Sequence, residues 1–358
     1  GADPLAPAVL LHGHLDVVPA DPADWSVHPF SGEIRDGVLW GRGAVDMKNA
    51  DAVLLAVARA WARTGYRPPR DVVLAFTADE EDTEEFGSRF LVERHPGLFE
   101  GCTVAVGESG AFTFHAAGRR LYPIASAERG TAWLRLTAHG RAGHGAKPNS
   151  HNAVTLLAAA ITRIGCYQWP ERLIPTVRAA IGEIAAALGV PAEAAALGPA
   201  SPLVAGALRN SANPTMIAAG YKINVIPGTA TGYVDGRVLP GHEAELAAVL
   251  DELCGEFVTW EYAHQEVALE APLDGPAVAA MRAALLAEDP AAVPVPYCMT
   301  GGTDAKQFGR LGMHCYGFTP LVLPESYDYY AMFHGVDERV PVSALEAAVR
   351  IVDSFLRS

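Results

Sequence analysis

Residues 71–81 read DVVLAFTADEE. The front of this stretch is an unbroken apolar run closed by Thr77, and its back is acidic. Such runs are typical of parallel strands covered on both faces. Two other segments share the design: AVLL (8–11) ahead of His12 and His14, and TVAVG (103–107) ahead of Glu108. Between the first strand and DVVLAFT, Lys48–Arg63 carries Val53, Leu54, Val57 and Trp61 at helical spacing and stops at Gly65. Phe86–Glu93 reads as a second helix. Strand, helix, strand, helix, strand predicts an α/β fold: a mixed, mostly parallel sheet flanked by helices.

After about residue 118 the pattern changes. TAWLRLTA (131–138) alternates like a half-exposed antiparallel strand. Helix Asn152–Arg163, strands Met216–Gly220 and Thr229–Val238, helix His242–Cys254 and strand Phe257–His264 follow. The order β-α-β-β-α-β predicts an inserted ferredoxin-like α+β domain. An Ala-rich insertion at 165–212 reads as partly helical. From about residue 271 the α/β character returns, with helix Gly275–Ala287, strand His314–Phe318 and helix Ser343–Leu356. The expected division is 1–118 as the first part of an α/β domain, 119–270 as the inserted domain, and 271–358 as the second part.

The 358 residues are 50% hydrophobic, enough for two cores. Lys plus Arg is 27 and Asp plus Glu is 41, a net charge of −14 that argues against nucleic acid and anionic membranes. No apolar run is long enough to span a bilayer, and no signal-peptide pattern opens the chain. Five cysteines without CxxC spacing fit a reduced, cytoplasmic protein.

Candidate chemistry gathers where strands end. In HGHLD (12–16), alternation aims His12, His14 and Asp16 at one face, so an imidazole can bind metal while a carboxylate fixes its tautomer. His12 reads equally as a core histidine. Asp46, in WGRGAVDMK, is placed either to bridge two cations or to cap the helix that follows. Glu80 and Glu81 face opposite ways at the strand end, so one can bind metal and the other take a proton. The bland alternative is an exposed acidic run, since Asp79, Asp82, Glu84 and Glu85 surround them. Glu108 repeats the strand-end carboxylate. His334 follows apolar residues that fit a core, and His144 sits in a Gly-rich loop, GRAGHGAKP. No nucleophile elbow, P-loop or zinc-finger spacing competes.

In order and spacing, HGHLDVVPA, WGRGAVDMK, TADEE, GRAGHGAKP, NVIPGTA, GGTDA and FHGVDERVP resemble the dinuclear-zinc peptidase and deacylase family. That family includes aminoacylase, glutamate carboxypeptidase, acetylornithine deacetylase, succinyl-diaminopimelate desuccinylase and carnosinase. The resemblance implies a catalytic zinc-hydrolase domain and an inserted lid and dimerisation domain. It implies two Zn²⁺ per chain, with Co²⁺ or Mn²⁺ as substitutes. Asp46 would bridge them, His14 and Glu108 would complete one site, and Glu81 and His334 the other. Asp16 would orient His14, and Glu80 would be the general base. His144, often from the partner subunit, would steady the oxyanion. Arg237, Asn213 or Asn224, and the backbone at Gly301 and Gly302 become substrate contacts. The implied substrate is an N-acyl amino acid or small peptide with a free carboxylate, and the implied assembly a homodimer. The resemblance also implies a helix and strand ahead of the first metal motif, for which the residues before His14 leave no room. Two other readings remain: an inactive metal-containing binding protein of the same fold, and a mononuclear peptidase.

Overall fold

The computed structural model describes every residue except Pro4, Thr83 and Glu84. Glu84, one of the acidic neighbours considered above, therefore lies outside the described residues. An eight-stranded sheet forms the larger unit. Its main path runs Leu269–Glu270, Arg119–Glu128, His314–Gly317, Cys102–Gly107, Ala8–His14, Val72–Thr77. Ala292–Met299 and Phe114–Ala116 also pair with Arg119–Glu128. Ala8–His14 is parallel to both its neighbours, as the apolar runs predicted.

The alternation within Ala8–His14 explains why that strand is apolar throughout. Val9 and Leu11 pack with Val53, Val57 and Trp61 of helix Lys48–Thr64 and with Ile351 and Phe355 of the last helix. Leu10 points to the other face, against Val92, Phe99 and Phe308. Burying each such side chain contributes roughly 1.5–3 kcal/mol, so a polar residue at any of the three is strongly disfavoured.

The smaller unit is a four-stranded antiparallel sheet in the order Ser211–Ala219, Thr229–Val238, Gly130–His139, Val258–Gln265. Helices Ala153–Cys166 and Glu243–Cys254 supply Leu157, Ile164, Leu246 and Leu250 to its core. This is the ferredoxin-like order expected.

The domain limits read from sequence need two corrections. Arg119–Glu128 pairs within the large sheet, so the smaller unit begins at Gly130 rather than 119. Helix Pro175–Leu188, from the 165–212 insertion, packs on the large unit, with Val177, Ile181 and Ile184 against Leu121, Ala125 and Val295. The Ala-rich composition gave the helix but not the surface it covers. The strand expected at Met216–Gly220 also starts earlier, at Ser211, taking in Asn213. Among the described residues no helix is long and apolar enough to cross a membrane.

Candidate metal centre

Because His14 pairs in register with Thr77, the segments that follow both strands emerge at the same edge of the sheet. Ligands gather at the carboxyl ends of strands in such sheets. At that edge Ala78 and Gly87 approach closely at the neck of a loop. A Cβ at Gly87 would lie 1.8 Å from the Ala78 carbonyl oxygen, so only glycine closes this neck. Within the loop, Asp79 takes a left-handed φ of 65° and its carboxylate accepts from the Phe86 N–H.

Around Asp46 the side chains meet. Its Oδ1 lies 3.2 Å from His14 Nε2, and its Oδ2 lies 3.1 Å from His334 Nε2. Glu108 is 3.6 Å from His14 Nε2, and Glu81 is 3.1 Å from His334 Nε2. Two three-residue donor sets result, His14–Asp46–Glu108 and Asp46–Glu81–His334, each with its atoms within 4.8 Å of one another. Neighbouring ligands on a tetrahedral cation with ~2.1 Å bonds lie about 3.4 Å apart, which these separations fit. Glu80 belongs to neither set; its Oε2 faces His14 Nε2 at 3.9 Å. The helix-cap alternative for Asp46 fails, because the cap position is Met47 and no side chain caps that helix.

Asp16 differs from expectation. His14 Nδ1 donates to the Asp16 backbone carbonyl at 3.0 Å, while the Asp16 carboxylate is 3.7 Å away. The carbonyl therefore sets the tautomer that leaves Nε2 for the cluster. The Asp16 carboxylate instead accepts from the Glu81 N–H at 3.1 Å and so positions that residue. His12, which alternation aimed at the same face, is buried against Phe308 and outside both sets.

The electrostatics describe a hole for cations. Burial pushes Glu80 up to about 11, reinforced by Glu108 and Asp304 beside it. Burial also raises Glu108, to about 8, and Glu81. For His14, burial works downward, but hydrogen bonds to Asp46 and Glu108 and the neighbouring carboxylates outweigh it and bring the imidazole to about 12. Burial likewise opposes ionisation of Asp46, yet the two histidines hold it at about 2. Glu81 Oε1 and Asp16 Oδ1 are buried without a hydrogen-bond partner. Excess buried carboxylate must be neutralised by protons or by metal. The donor chemistry, carboxylate and imidazole oxygen and nitrogen, fits zinc-type ions.

A pH dependence follows. Without metal, Glu80 and Glu108 keep protons at pH 7 and His14 is an imidazolium. Metal binding needs ionised carboxylates and a neutral imidazole, so it releases protons and tightens as pH rises. Calorimetric titration in buffers of different ionisation enthalpy should show net proton release between pH 6 and 8. An enthalpy independent of buffer would contradict this electrostatic description.

Sequence reasoning missed Glu338 and Arg42. Glu338 is fully buried. Its carboxylate accepts from the N–H groups of Gly43 (2.9 Å), Val45 (2.6 Å) and Asp46 (3.0 Å) and from Arg42 Nη1 (2.8 Å). Arg42 Nη2 donates to the His334 carbonyl at 3.3 Å. One carboxylate thus ties the Asp46 loop to the His334 loop. The signal was present in HGVDERVP, four residues after His334.

The remaining candidates belong to neither donor set. His144 is exposed, on a two-stranded ribbon with Val225–Ile226. Arg237 gives Nε and Nη2 to Asp235 and Nη1 to Thr131. Asn213 pairs opposite Asp235 and is exposed, and the exposed Asn224 offers its carbonyl to the Gly145 N–H. Gly301 and Gly302 are exposed ahead of the buried Thr303.

Loops at one edge of a mostly parallel sheet and the His334 loop bring two imidazoles and several carboxylates together around Asp46, the donor set of a metal-dependent enzyme. The chain belongs to peptidase family M20/M25/M40, whose profile matches residues 10–358. N-fatty-acyl-amino acid synthase/hydrolase PM20D1 of Xenopus tropicalis is 29% identical over 381 residues, spanning 99% of this chain and 72% of that protein. Aminoacylase-1 of Sus scrofa is 27% identical over 365 residues, 99% of this chain and 81% of that protein. An M20 metallo-carboxypeptidase of Sulfolobus solfataricus superposes with a TM-score of 0.71 at 18% identity, covering 100% of this chain and 86% of that one.

Proposed function

We propose that this chain hydrolyses N-acyl amino acids, or small peptides with a free carboxylate, using two divalent cations, zinc first among candidates. The observation that carries this is Asp46, whose two oxygens each face a different imidazole. His14 and Glu108 would hold one cation with it, Glu81 and His334 the other. When bound, such a pair supplies Lewis acidity and a water activated near neutral pH.

The protein's own groups do the rest. Glu80 stands beside both sets without joining either, as a base must. Burial and like charge hold it far above the range of a useful base, and cations beside it would bring it down. It accepts the water's proton and returns it to the leaving amine. Asp16 keeps Glu81 in place through its N–H. His144 is exposed and outside the cluster, which suits a group that reaches the site of a second copy and donates to the developing oxyanion. A homodimer through the smaller unit is supported by its edge strand, where Met216 and Ile217 are exposed. Arg237 and Asn213, or Asn224, would meet the substrate carboxylate from that unit, and Gly301 and Gly302 would approach it from the larger one. The names of the two curated relatives favour N-acyl amino acids over peptides. Five free cysteines support a reduced, cytoplasmic setting.

The test is a panel of N-acyl amino acids and dipeptides, assayed with zinc or cobalt and again after chelation. Hydrolysis of the N-acyl series, lost on chelation and restored by metal, is expected. His144→Ala should lower kcat by about 10²-fold with metal retained. A metal-loaded protein that cleaves neither series would contradict the reading.

A further inference from the structure

The chain passes between its two units at Glu128–Gly130 and again after Gln265. A buried ammonium sits between these crossings. Lys306 is 1% exposed, and its Nζ lies 3.1 Å from Glu266, 3.1 Å from Thr131 Oγ1 and 3.3 Å from Glu128. Glu128 ends a strand of the large sheet, Thr131 begins the small one, and Glu266 follows its last strand. Thr303 adds to the knot, giving its N–H and hydroxyl to the two Glu128 oxygens at 2.9 and 2.8 Å. The second glycine of GGTDA now has a reason. A Cβ at Gly302 would lie 2.8 Å from Lys306 Nζ, so a side chain there displaces the ammonium.

The same short segment also reaches the catalytic edge. Asp304, 2% exposed, accepts from Thr77 Oγ1 at 2.5 Å. Thr77 ends the strand that precedes the Glu80 loop and pairs in register with His14. A buried ion pair is seldom superior to apolar packing for stability alone, but its directed bonds can select one arrangement of the groups it joins.

We propose that Thr303–Lys306 is a strut that sets the angle between the two units and transmits it, through Asp304, to the loop bearing Glu80. Lys306 is a positioning residue; it touches neither proposed ligands nor the base. The proposal rests on the functional reading above only for its catalytic consequence.

The experiment measures distances and turnover on the full chain. One spin label is placed at the exposed Cys166 of the smaller unit and another at Glu100→Cys in the larger. Lys306→Gln should broaden the inter-label distances. It should also lower kcat about tenfold, with KM changed less than about threefold and metal content unchanged. Distances like wild type, with or without a loss of turnover, would overturn the proposal. If Lys306→Gln does not fold, Glu266→Gln serves, because Lys306 keeps Glu128 and Thr131 while its ion pair with the smaller unit is lost. Broadening is again expected, and its absence is contradictory. Should the wild type cleave no substrate, the functional reading fails, while the distances still decide the strut.

Discussion

Glu80→Gln is expected to lower kcat by about 10³-fold while both metal sites still fill, since positioned proton transfer contributes roughly 10²–10⁴-fold. Glu80 faces His14 across 3.9 Å but lies outside both donor sets, so neutralising it removes no proposed ligand. Glutamine keeps the volume and one oxygen and cannot take a proton. Glu80 already carries a proton at pH 7 before metal arrives, so glutamine leaves the charge of the metal-free cluster unchanged. Metal should therefore still bind. Turnover and metal content measured on one preparation check this. A kcat within a fewfold of wild type would remove Glu80 as the base, and loss of metal would make it a ligand.

The second large effect is expected at Glu338, which no substrate need touch. Its two oxygens satisfy three backbone N–H groups and the Arg42 guanidinium in a fully buried place. Glutamine there would turn an NH₂ towards donors and leave Arg42 unpaired. Breaking one side of a buried pair costs roughly 3–5 kcal/mol. The loss should also appear at the metals, because this carboxylate joins the Asp46 and His334 loops. His334 itself is held at a left-handed φ of 54°, a conformation that surrounding contacts must maintain. Weakening of metal affinity by about 10–100-fold is expected, the usual range for groups supporting ligands. Denaturant titration and competitive metal titration of Glu338→Gln measure the two effects. Wild-type values in both would show that the loops hold themselves.

Local pattern made the large sheet legible, because Val9, Leu10 and Leu11 each need an apolar environment and only a strand covered on two faces supplies it. The same pattern failed at Arg119–Glu128. That strand is buried from Leu121 to Glu128, and nothing within it says which sheet receives it. Helix Pro175–Leu188 failed similarly, since an apolar stripe does not name its partner. At the site, the strand-end acids and His14 were visible as types in the right places. The divided role of Asp16, whose carbonyl serves His14 and whose carboxylate serves Glu81, was not, because it depends on how the chain turns after the strand. Contacts such as Arg42 with Glu338 and Thr77 with Asp304 join residues more than two hundred apart in sequence. No periodicity reports them. GGTDA, recognised as a motif with a substrate role, places its second glycine against the Lys306 ammonium.

The central claim is that Asp46 is shared by two cations. Its most direct test is anomalous diffraction at the zinc edge from crystals of the zinc-loaded protein. The expected result is two peaks of comparable height flanking the Asp46 carboxylate, one against His14 and Glu108 and the other against Glu81 and His334. A single peak in crystals of fully active protein, with the other donor set left without metal, would contradict it.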